Sequence, residues 1–366
     1  MLAAIQQFAT NRLEPVEKPE LVAGIIGERP SEYAKSPSIW NRVIKALGID
    51  AVYFPFDVSA TDLPGLVDTL RRAECYVGGS VTVPYKVSIV PYLDSLDKKA
   101  AEIGAVNTIV RNSKGELIGF NTDGRGAIDA LTMIQPDRDK PFMSELQGTS
   151  VLLIGAGGAG RAVGFYLAEE LKNGTLLITS RNGSRCRSLV DAINAIYSNA
   201  VMVKAGAASD VLSSVDIIIN ASACGQSGIQ HLKDGMVTCL EPYSPLAPAN
   251  PAELPASMVV SKGEFFHKWL PDSLEGIISN NSEALRLCSK VPMNTAFFDL
   301  VYTPTETVYL RHARLTGHRT MNGKGMNIAQ AGNAFFHLVF RSWLEKTGQY
   351  NEKTFESIVR HMHGVW

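Results

Sequence analysis

The chain has 366 residues, enough for two domains that each bury a core of their own. Its formal net charge of −1 offers no basic field for nucleic acid or for an anionic membrane, which favours a small-molecule partner. Five cysteines without a CxxC pair indicate neither a disulfide framework nor a zinc site, and we expect no bound metal. No basic segment followed by an apolar run opens the sequence, and no uninterrupted run of about 18 apolar residues occurs, so we predict a soluble, cytoplasmic protein.

From the strand LVAGIIG onward, short apolar runs alternate with segments of helical periodicity. The pattern predicts a helix at SPSIWNRVIKALGI and a second strand at AVYFPFDV. Such alternation is typical of a parallel sheet with helices on its faces. Ser36 and Pro37 predict the N-cap and the first residue of the helix, because proline lacks only an N–H that the first turn does not use.

The next segments predict a helix at LPGLVDTLRRA and a buried strand at GGSVTVPYK, which ends in Lys86. We predict that KVSIVPYL forms a short helix beginning at this lysine. A lysine in such a place is ordinarily a solvated strand end, so its significance depends on whether a partner lies nearby.

The segment GAVNTIVRNSKGELIGFNTD predicts two strands joined by a turn at residues 113–115, the pattern of a β-hairpin. Asn107 enters the hairpin and Asp123 leaves it. Because the two ends of a hairpin meet, we expect Asn107 and Asp123 to lie near one edge of the sheet.

A second alternating pattern begins near residue 150. It predicts a strand and a helix in SVLLIGAGGAGRAVGFYLAEEL, then the strand TLLITSR, the helix SRCRSLVDAINAIY and the strand VDIIINASA. Between about residues 225 and 291 a proline- and alanine-rich stretch interrupts the pattern, and we interpret it as an insertion. Regular structure resumes in the strand TAFFDLVY, the helix TVYLRHARLTG, the long helix NIAQAGNAFFHLVFRSWLEKTG and a last helix near TFESIVRHM.

The string GAGGAG matches the pattern GxGxxG at Gly155, Gly157 and Gly160. It follows an apolar strand and opens a helix, the context in which the first glycine allows a tight turn and the second lets the backbone approach a pyrophosphate. The phosphate would lie at the helix N-terminus, where N–H groups and the helix dipole favour an anion. We therefore predict a dinucleotide site rather than a glycine-rich packing turn.

The end of the next strand distinguishes the two nicotinamide cofactors, because an acidic side chain there would bind the ribose 2′-hydroxyl and repel a 2′-phosphate. The segment TSRNGSR contains no acid. Arg181 and Arg185 supply two cations, with Ser180 and Asn182 as polar neighbours, which suits the additional phosphate. We predict NADP rather than NAD; the alternative is that both arginines are ordinary solvated residues at a helix start.

A dehydrogenase that takes a hydride from a secondary alcohol needs a group that accepts the hydroxyl proton. Lys86 and Asp123 are candidates, each at the end of a predicted strand of the first domain. Burial would favour the neutral amine of Lys86, the better base, whereas an adjacent aspartate would favour the ammonium. The residues alone leave this choice open.

Six strings in fixed order closely resemble those of the shikimate/quinate dehydrogenase family: SVTVPYK, IGAVNTI, GFNTDGRG, LLIGAGGAGRA, DLVYTP and NIAQAGNAFF. The resemblance spans residues 24–340 apart from the insertion. It implies an α/β fold of two domains with the site in the cleft between them. We expect a substrate-binding and catalytic domain at 1–122, to which C-terminal helices in 318–366 return. The second domain would be a Rossmann-like, doubly wound parallel-sheet NADP domain at 123–317, with the insertion at about 225–291.

The resemblance also implies roles for particular residues. Lys86 and Asp123 match the catalytic pair that touches the hydroxyl being oxidised. The residues that match substrate ligands are Ser36, which would hold the substrate carboxylate, and Thr82, Asn107, Tyr302 and Gln330. The residues predicted to bind cofactor are Gly155, Gly157, Gly158, Ala159, Gly160, Ser180, Arg181, Asn182, Arg185, Ala221 and Gly325. The segment SRNGSR resembles the NRTxxR clamp of NADP-using members.

Two positions depart from the family pattern. Ala34 replaces the first serine of the family's SxSP segment, and Ser80 replaces the asparagine of its NVT segment. Loss of the first serine hydroxyl would weaken binding at the carboxylate end or make room for the additional C1 hydroxyl of quinate. Quinate therefore gains support relative to shikimate.

The predicted function is an NADP-dependent dehydrogenase that interconverts shikimate or quinate with the corresponding 3-dehydro acid. Two alternatives stay open. A non-catalytic sensor of the ring acid would bind it without reducing cofactor, and a dehydrogenase of an amino-substituted ring acid is compatible with Ala34 and Ser80. We expect a small hydroxylated ring acid as the partner, neither nucleic acid nor a membrane, and a monomer or homodimer.

Overall fold

The structure is a computed structural model that describes residues 2–13, 19–136, 138–206, 208–232 and 234–366. It divides the chain into two compact units. The first unit comprises residues 1–130 and 326–366, and the second comprises residues 131–325. The C-terminal helices therefore return to the first unit.

Both crossings between the units lie later in the chain than the domain boundaries predicted at 122/123 and 317/318. The helix that starts at Asp123 stays with the first unit as far as Ala130. Within this unit the Asp129 carboxylate accepts a hydrogen bond from Asn333 Nδ2 at 2.9 Å. Asp123, the first residue of the predicted second domain, thus belongs to the first unit.

The strands and helices follow in chain order. The strands are β1 (Leu21–Gly27), β2 (Ala51–Asp57), β3 (Tyr76–Val81), β4 (Ser95–Leu96), β5 (Thr108–Arg111), β6 (Leu117–Phe120), β7 (Ser150–Ile154), β8 (Thr175–Thr179), β9 (Ala200–Met202), β10 (Ile217–Asn220), β11 (Ile229–His231), β12 (Met236–Cys239), β13 (Leu254–Pro255), β14 (Ala296–Asp299) and β15 (Arg319–Met321). The helices are α1 (Leu2–Gln6), α2 (Pro30–Tyr33), α3 (Ser36–Leu47), α4 (Leu63–Arg72), α5 (Lys98–Ile103), α6 (Asp123–Thr132), α7 (Gly158–Leu171), α8 (Gly183–Asn194), α9 (Lys262–Cys288), α10 (Val308–Leu315), α11 (Lys324–Ala334), α12 (Arg341–Lys346) and α13 (Glu352–His363).

A six-stranded sheet in the order β2-β1-β3-β5-β6-β4 forms the centre of the first unit. Strand β1 runs parallel to β2 and β3, whereas the hairpin strand β5 is antiparallel to both β3 and β6. Side chains along β1 alternate between two buried clusters, with Val22 and Ile26 in one and Ala23 and Ile25 in the other. Because successive side chains of a strand point to opposite faces, both faces of this sheet are covered by helices or loops.

The second unit contains a six-stranded sheet in the order β15-β14-β10-β7-β8-β9. All of its pairings are parallel. From the first strand, β7, the chain proceeds to β8 and β9 on one side and to β10 and β14 on the other. The strand order therefore reverses beside β7, the place where doubly wound folds bind ligands at the carboxyl ends of the strands. The predicted Rossmann-like α/β architecture is confirmed.

The predicted insertion, which the sequence left unassigned, forms a small antiparallel sheet and a long helix. Strand β12 pairs with β11 and β13, and α9 extends over 27 residues. A separate buried cluster beneath them includes Val237, Tyr243, Phe265 and Trp269. The segment is therefore packed on a core of its own within the second unit.

Three predicted elements differ from the structure. The segment KVSIVPYL does not form a helix beginning at Lys86: residues 83–89 form turns that lead into a short 3₁₀ segment at Val90–Tyr92. Helix α3 begins at Ser36 and its N-cap is Lys35, so the prediction that Ser36 is the N-cap is wrong. The long C-terminal helix is divided by a π-helical segment, Phe335–Val339, between α11 and α12. Short apolar runs with a proline carry little helical information, which explains the first error.

Candidate active site

Lys86 and Asp123 form an ion pair in the first unit. Lys86 lies five residues after the end of β3, and Asp123 is the first residue of α6, three residues after the end of β6. Their side chains meet with Nζ and Oδ2 2.5 Å apart. The side chains of Lys86 and Asp123 are 18% and 7% exposed, so the pair is largely screened from solvent. A helix N-terminus favours the negative charge of Asp123.

Asn107 joins this pair to the C-terminal segment of the first unit. Its Nδ2 donates to Asp123 Oδ1 at 2.9 Å and lies 3.2 Å from Gln330 Oε1. Its Oδ1 accepts the N–H of Thr122 at 2.8 Å and the hydroxyl of Thr108 at 2.9 Å. The predicted meeting of Asn107 and Asp123 at the hairpin ends is confirmed, and Gln330 on α11 joins them.

Three hydroxyl groups form a second polar cluster in the first unit, on α3 and on the neighbouring strands. Ser36 and Ser80 are buried, and Tyr53 on β2 is almost fully buried. The Tyr53 hydroxyl has no hydrogen-bond partner among the described residues. Burial raises the pKa of Tyr53, and the adjacent Ser80 and Ser36, which lie outside good hydrogen-bonding geometry, only partly offset this. A buried hydroxyl without a partner is costly, so this cluster is suited to a polar ligand.

The remaining predicted substrate ligands, Thr82 and Tyr302, lie in different units. Thr82 directly follows β3, and its N–H donates to the carbonyl of Ile26 at 2.9 Å. Tyr302 is in the second unit, three residues after β14, and burial raises the pKa of its hydroxyl. The first unit thus brings together Lys86, Asp123, Asn107 and Gln330, while the role predicted for Tyr302 stays a prediction.

The glycine turn after β7 has the geometry that a dinucleotide requires. Gly155 has a φ of +116°, and a Cβ added there would lie 2.9 Å from the carbonyl of Ala221. A Cβ on Gly160 would lie only 2.1 Å from the carbonyl oxygen of Gly155, so the first and third glycines allow the turn to close. A Cβ on Gly157 would meet nothing within 4 Å. The space beside Gly157 lies at the N-terminus of α7, where an anion is favoured.

The predicted ribose end lies at the same edge of the sheet. Strand β8 pairs with β7 so that Thr179 lies level with Ile154, and Ser180 and Arg181 follow directly. Arg181 and Arg185 are exposed. Asn182 is the N-cap of α8, and its side chain accepts the N–H of Arg185 at 3.0 Å. Two exposed guanidinium groups beside a helix N-terminus fit an additional phosphate.

The other residues predicted to bind cofactor lie at helix starts or strand ends. Gly158 and Ala159 are the first two residues of α7, and Gly325 is the second residue of α11. Ala221 follows β10, and its N–H donates to the carbonyl of Ile154 at 2.8 Å. The glycine turn, the end of β8 and the end of β10 therefore lie together at the carboxyl edge of the sheet.

Gly157 and Gly160 predict opposite outcomes when each is replaced by alanine. We expect Gly157→Ala to change the free energy of unfolding by no more than about 1 kcal/mol, because its Cβ has open space, but to weaken NADP⁺ binding at least about tenfold. Gly160→Ala is expected to destabilise the fold by about 1–3 kcal/mol, because its Cβ collides with backbone. Thermal unfolding and titration calorimetry with NADP⁺ measure both effects. Wild-type NADP⁺ affinity in Gly157→Ala would contradict the placement of the pyrophosphate.

Two further observations bear on the sequence predictions. No disulfide joins the five cysteines, all of which lie among the described residues. In the part of the chain that the structure describes, no helix combines the length and the apolar character needed to cross a bilayer.

Comparison with known proteins assigns the family. Residues 25–109 match the family model "Shikimate dehydrogenase substrate binding domain". The "Shikimate dehydrogenase (NADP(+))" of Halothermothrix orenii is 33% identical over 86% of this chain and 89% of its own length. A crystal structure of shikimate dehydrogenase in complex with NADP⁺ is 29% identical with a TM-score of 0.65, covering 94% of this chain and 95% of that one. Quinate dehydrogenase from Corynebacterium glutamicum in complex with NAD is 25% identical with a TM-score of 0.64, covering 94% and 99%. The chain therefore belongs to the shikimate/quinate dehydrogenase family.

Proposed function

We propose that this protein is an NADP-dependent dehydrogenase that interconverts shikimate, quinate or both with the corresponding 3-dehydro acid. The observation that carries the proposal is the Lys86–Asp123 pair, whose 2.5 Å contact is reinforced by Asn107. The relative from Halothermothrix orenii is named for shikimate and NADP⁺, and the one from Corynebacterium glutamicum for quinate. The first unit would bind the ring acid, and the second would bind the dinucleotide.

In this mechanism Lys86 and Asp123 both contact the ring hydroxyl that is oxidised. The glycine turn after β7 and the end of β8 would hold NADP⁺, which would supply the hydride acceptor for the carbon that carries this hydroxyl. Before the transfer Lys86 would be a neutral amine that donates one N–H to the Asp123 carboxylate; its nitrogen would accept the hydroxyl proton, giving an ammonium paired with that carboxylate. Asn107 fixes the carboxylate, so the acceptor is preorganised before substrate binds.

The opposite end of the ring acid would meet the hydroxyl cluster of Ser36, Tyr53 and Ser80. A carboxylate or a C1 hydroxyl placed there would supply the partner that the buried Tyr53 hydroxyl lacks. Ser80 is smaller than the asparagine common in the family. Ala34 lacks the hydroxyl of the first serine in the family's SxSP segment. These two differences support room for the additional C1 hydroxyl of quinate.

Thr82, Asn107, Gln330 and Tyr302 would bind the remaining hydroxyl groups of the ring. The first three lie in the same unit as the ion pair, and Asn107 and Gln330 lie within hydrogen-bonding distance of each other. Amide and hydroxyl groups of this kind both donate and accept, which suits a polyhydroxylated ring.

We propose NADP as the cofactor because Arg181 and Arg185 are exposed beside the end of β8 and no acidic side chain follows that strand. Arg181→Ala or Arg185→Ala is expected to raise the KM for NADP⁺ about 10- to 100-fold and to leave the KM for NAD⁺ within about threefold, since only NADP⁺ carries the 2′-phosphate. Initial rates with each cofactor measure this. Arg187→Ala, at an exposed arginine two residues after Arg185 on α8, is the control. An equal loss with both cofactors would contradict the assignment.

The function itself is tested by following reduced nicotinamide absorbance in four mixtures: shikimate or quinate, each with NADP⁺ or NAD⁺. We expect reduction with at least one of the two acids, faster with NADP⁺. Binding of a ring acid without reduction in any mixture would favour the non-catalytic sensor. If none of the four mixtures reduces the cofactor, an amino-substituted ring acid is tested in the same way. Reduction with that acid would keep the dehydrogenase assignment and change its substrate. We also propose a cytoplasmic location, which the absence of disulfides among the five cysteines supports.

A further inference from the structure

Asp299 is the buried centre of a hydrogen-bond network at the carboxyl ends of two strands in the second unit. It is the last residue of β14 and lies in register with Asn220, the last residue of β10. Both side chains are fully buried. Asp299 Oδ1 accepts from Asn220 Nδ2 at 2.9 Å and from the N–H of Val301 at 3.0 Å. Asp299 Oδ2 accepts the hydroxyl of Thr307 at 2.7 Å.

Asn220 extends this network into the turn that follows β10. Its Oδ1 accepts the N–H and the hydroxyl of Ser222 at 3.0 and 2.7 Å, and its Nδ2 also donates to the carbonyl of Cys224 at 3.0 Å. Ala221 in this turn packs closely on Gly155: a Cβ added to Gly155 would lie 2.9 Å from the Ala221 carbonyl. The turn is therefore held by Asn220 and abuts the glycine turn.

The other contacts of Asp299 fix the segment that carries Tyr302. Val301, whose N–H donates to Asp299 Oδ1, directly precedes Tyr302. The Thr307 hydroxyl also accepts the N–H of Leu310 at 3.3 Å and caps α10. Asp299 thus holds both ends of the segment between β14 and α10.

The described hydrogen-bond partners of Asp299 are all uncharged. Burial is the largest influence on this carboxyl and raises its pKa to about 7. A buried group in this setting contributes through the positions of its hydrogen bonds more than through its charge.

We propose that Asp299 is a positioning residue for the dehydrogenase reaction, because it holds the turn containing Ala221 and the segment containing Tyr302 in one fixed arrangement. The inference rests on the proposed function, in which Ala221 contacts cofactor and Tyr302 contacts substrate. A displacement of about 1 Å in groups that orient reactants can cost about 100-fold in rate. One buried side chain therefore controls two loops on which the chemistry depends.

The test combines kinetics with amide hydrogen exchange in two variants of the same residue. Asp299→Ala removes every acceptor, and we expect exchange in both segments, 221–224 and 301–303, to rise at least about tenfold. At a temperature where circular dichroism shows a folded protein, kcat is expected to fall at least about tenfold. Asp299→Asn should restore both quantities to within about threefold of wild type. Its carbonyl oxygen can accept from Asn220 and Val301, and its amide can donate to Thr307.

Two further variants keep the test decisive. If Asp299→Ala does not fold, Thr307→Val, which removes the hydroxyl bound to Oδ2, is expected to raise exchange in the 301–303 segment and to lower kcat severalfold. Glu306→Gln makes the same acid-to-amide change in the same segment, on an exposed side chain that pairs with Arg314 at 2.6 Å, and should leave both readouts within about twofold.

The outcomes separate this inference from the proposed function. Wild-type kcat in a folded Asp299→Ala protein, or faster amide hydrogen exchange in only one of the two segments, would overturn this inference and leave the proposed function standing. Failure of Asp299→Asn to restore kcat would also overturn it, because the charge rather than the hydrogen-bond geometry would then be required. A wild-type protein that oxidises no ring acid would remove the proposed function and this inference with it.

Discussion

Replacing Lys86 with alanine is expected to lower kcat by about 1,000-fold while the protein remains folded. General acid–base groups contribute about 10²- to 10⁴-fold, and Lys86 would be the group closest to the transferred proton. The fold should tolerate the change because the Lys86 side chain is 18% exposed and Asp123 keeps its hydrogen bond from Asn107. Steady-state rates with the preferred ring acid and NADP⁺, together with thermal unfolding, measure both effects.

A matched control is available in the same unit. Lys99 pairs with Glu102 at 3.2 Å, and their side chains are 21% and 19% exposed, comparable to the 18% of the Lys86 side chain. Lys99→Ala should leave kcat within about twofold, because this pair lies on α5 and has no proposed role in the reaction. If Lys86→Ala retained kcat within about threefold of wild type, the proton-transfer role of Lys86 would be wrong.

Asp123→Asn is expected to lower kcat by about 100- to 1,000-fold. The two carboxylate oxygens of Asp123 accept hydrogen bonds from Lys86 Nζ and Asn107 Nδ2, which are both donors. An amide at this position can accept only one of these bonds and must turn its own donor towards the other, so the pair is misplaced and its charge balance is lost. Single-turnover and steady-state rates, with the dissociation constant of the ring acid, distinguish lost chemistry from lost binding.

The control for this variant lies on the same helix. Asp129 is also buried and pairs with Arg125 at 2.8 Å. Asp129→Asn should retain kcat within about threefold, because the Arg125–Asp129 pair lies within α6 and the other bond of Asp129 is to Asn333 on α11, so neither contact involves Lys86. A similar loss in both variants would indicate that helix α6 is generally sensitive and would remove the specific role of Asp123.

The sequence was most informative where functional residues lie at the ends of regular elements. The hairpin signal predicted that Asn107 and Asp123 meet, and the structure confirms this with a 2.9 Å hydrogen bond. The glycine string predicted a turn that only glycine can close, and Gly155 and Gly160 show why. Local backbone rules therefore predicted the parts of the candidate site that depend on turns and strand ends.

The residues that the sequence did not reveal act through contacts between distant segments. Tyr53 is one of many apolar residues in a buried strand, and only the structure shows that its hydroxyl lacks a partner beside Ser36 and Ser80. A signal was available, since a tyrosine in a buried strand needs a polar partner. Asp299 is similar: it stands 79 residues from Asn220, and only the parallel register of β10 and β14 brings them together.

The insertion was unpredictable for a different reason. Its proline- and alanine-rich half carries no clear period, so it gives no helix or strand signal. In the structure, strand β12 pairs with β11 and β13 over only two or three residues each, and α9 packs on these strands. Stability there comes from packing of Phe265, Trp269 and Tyr243, which periodicity in a short window does not reveal.

The most direct test of the account is a crystal structure of the protein with NADP⁺ and the ring acid that it oxidises. We predict that Lys86 Nζ and a carboxylate oxygen of Asp123 both lie about 2.6–3.2 Å from the same ring hydroxyl, and that the carbon bearing it faces the nicotinamide ring. A bound ring acid whose reacting hydroxyl contacts neither Lys86 nor Asp123 would contradict the account.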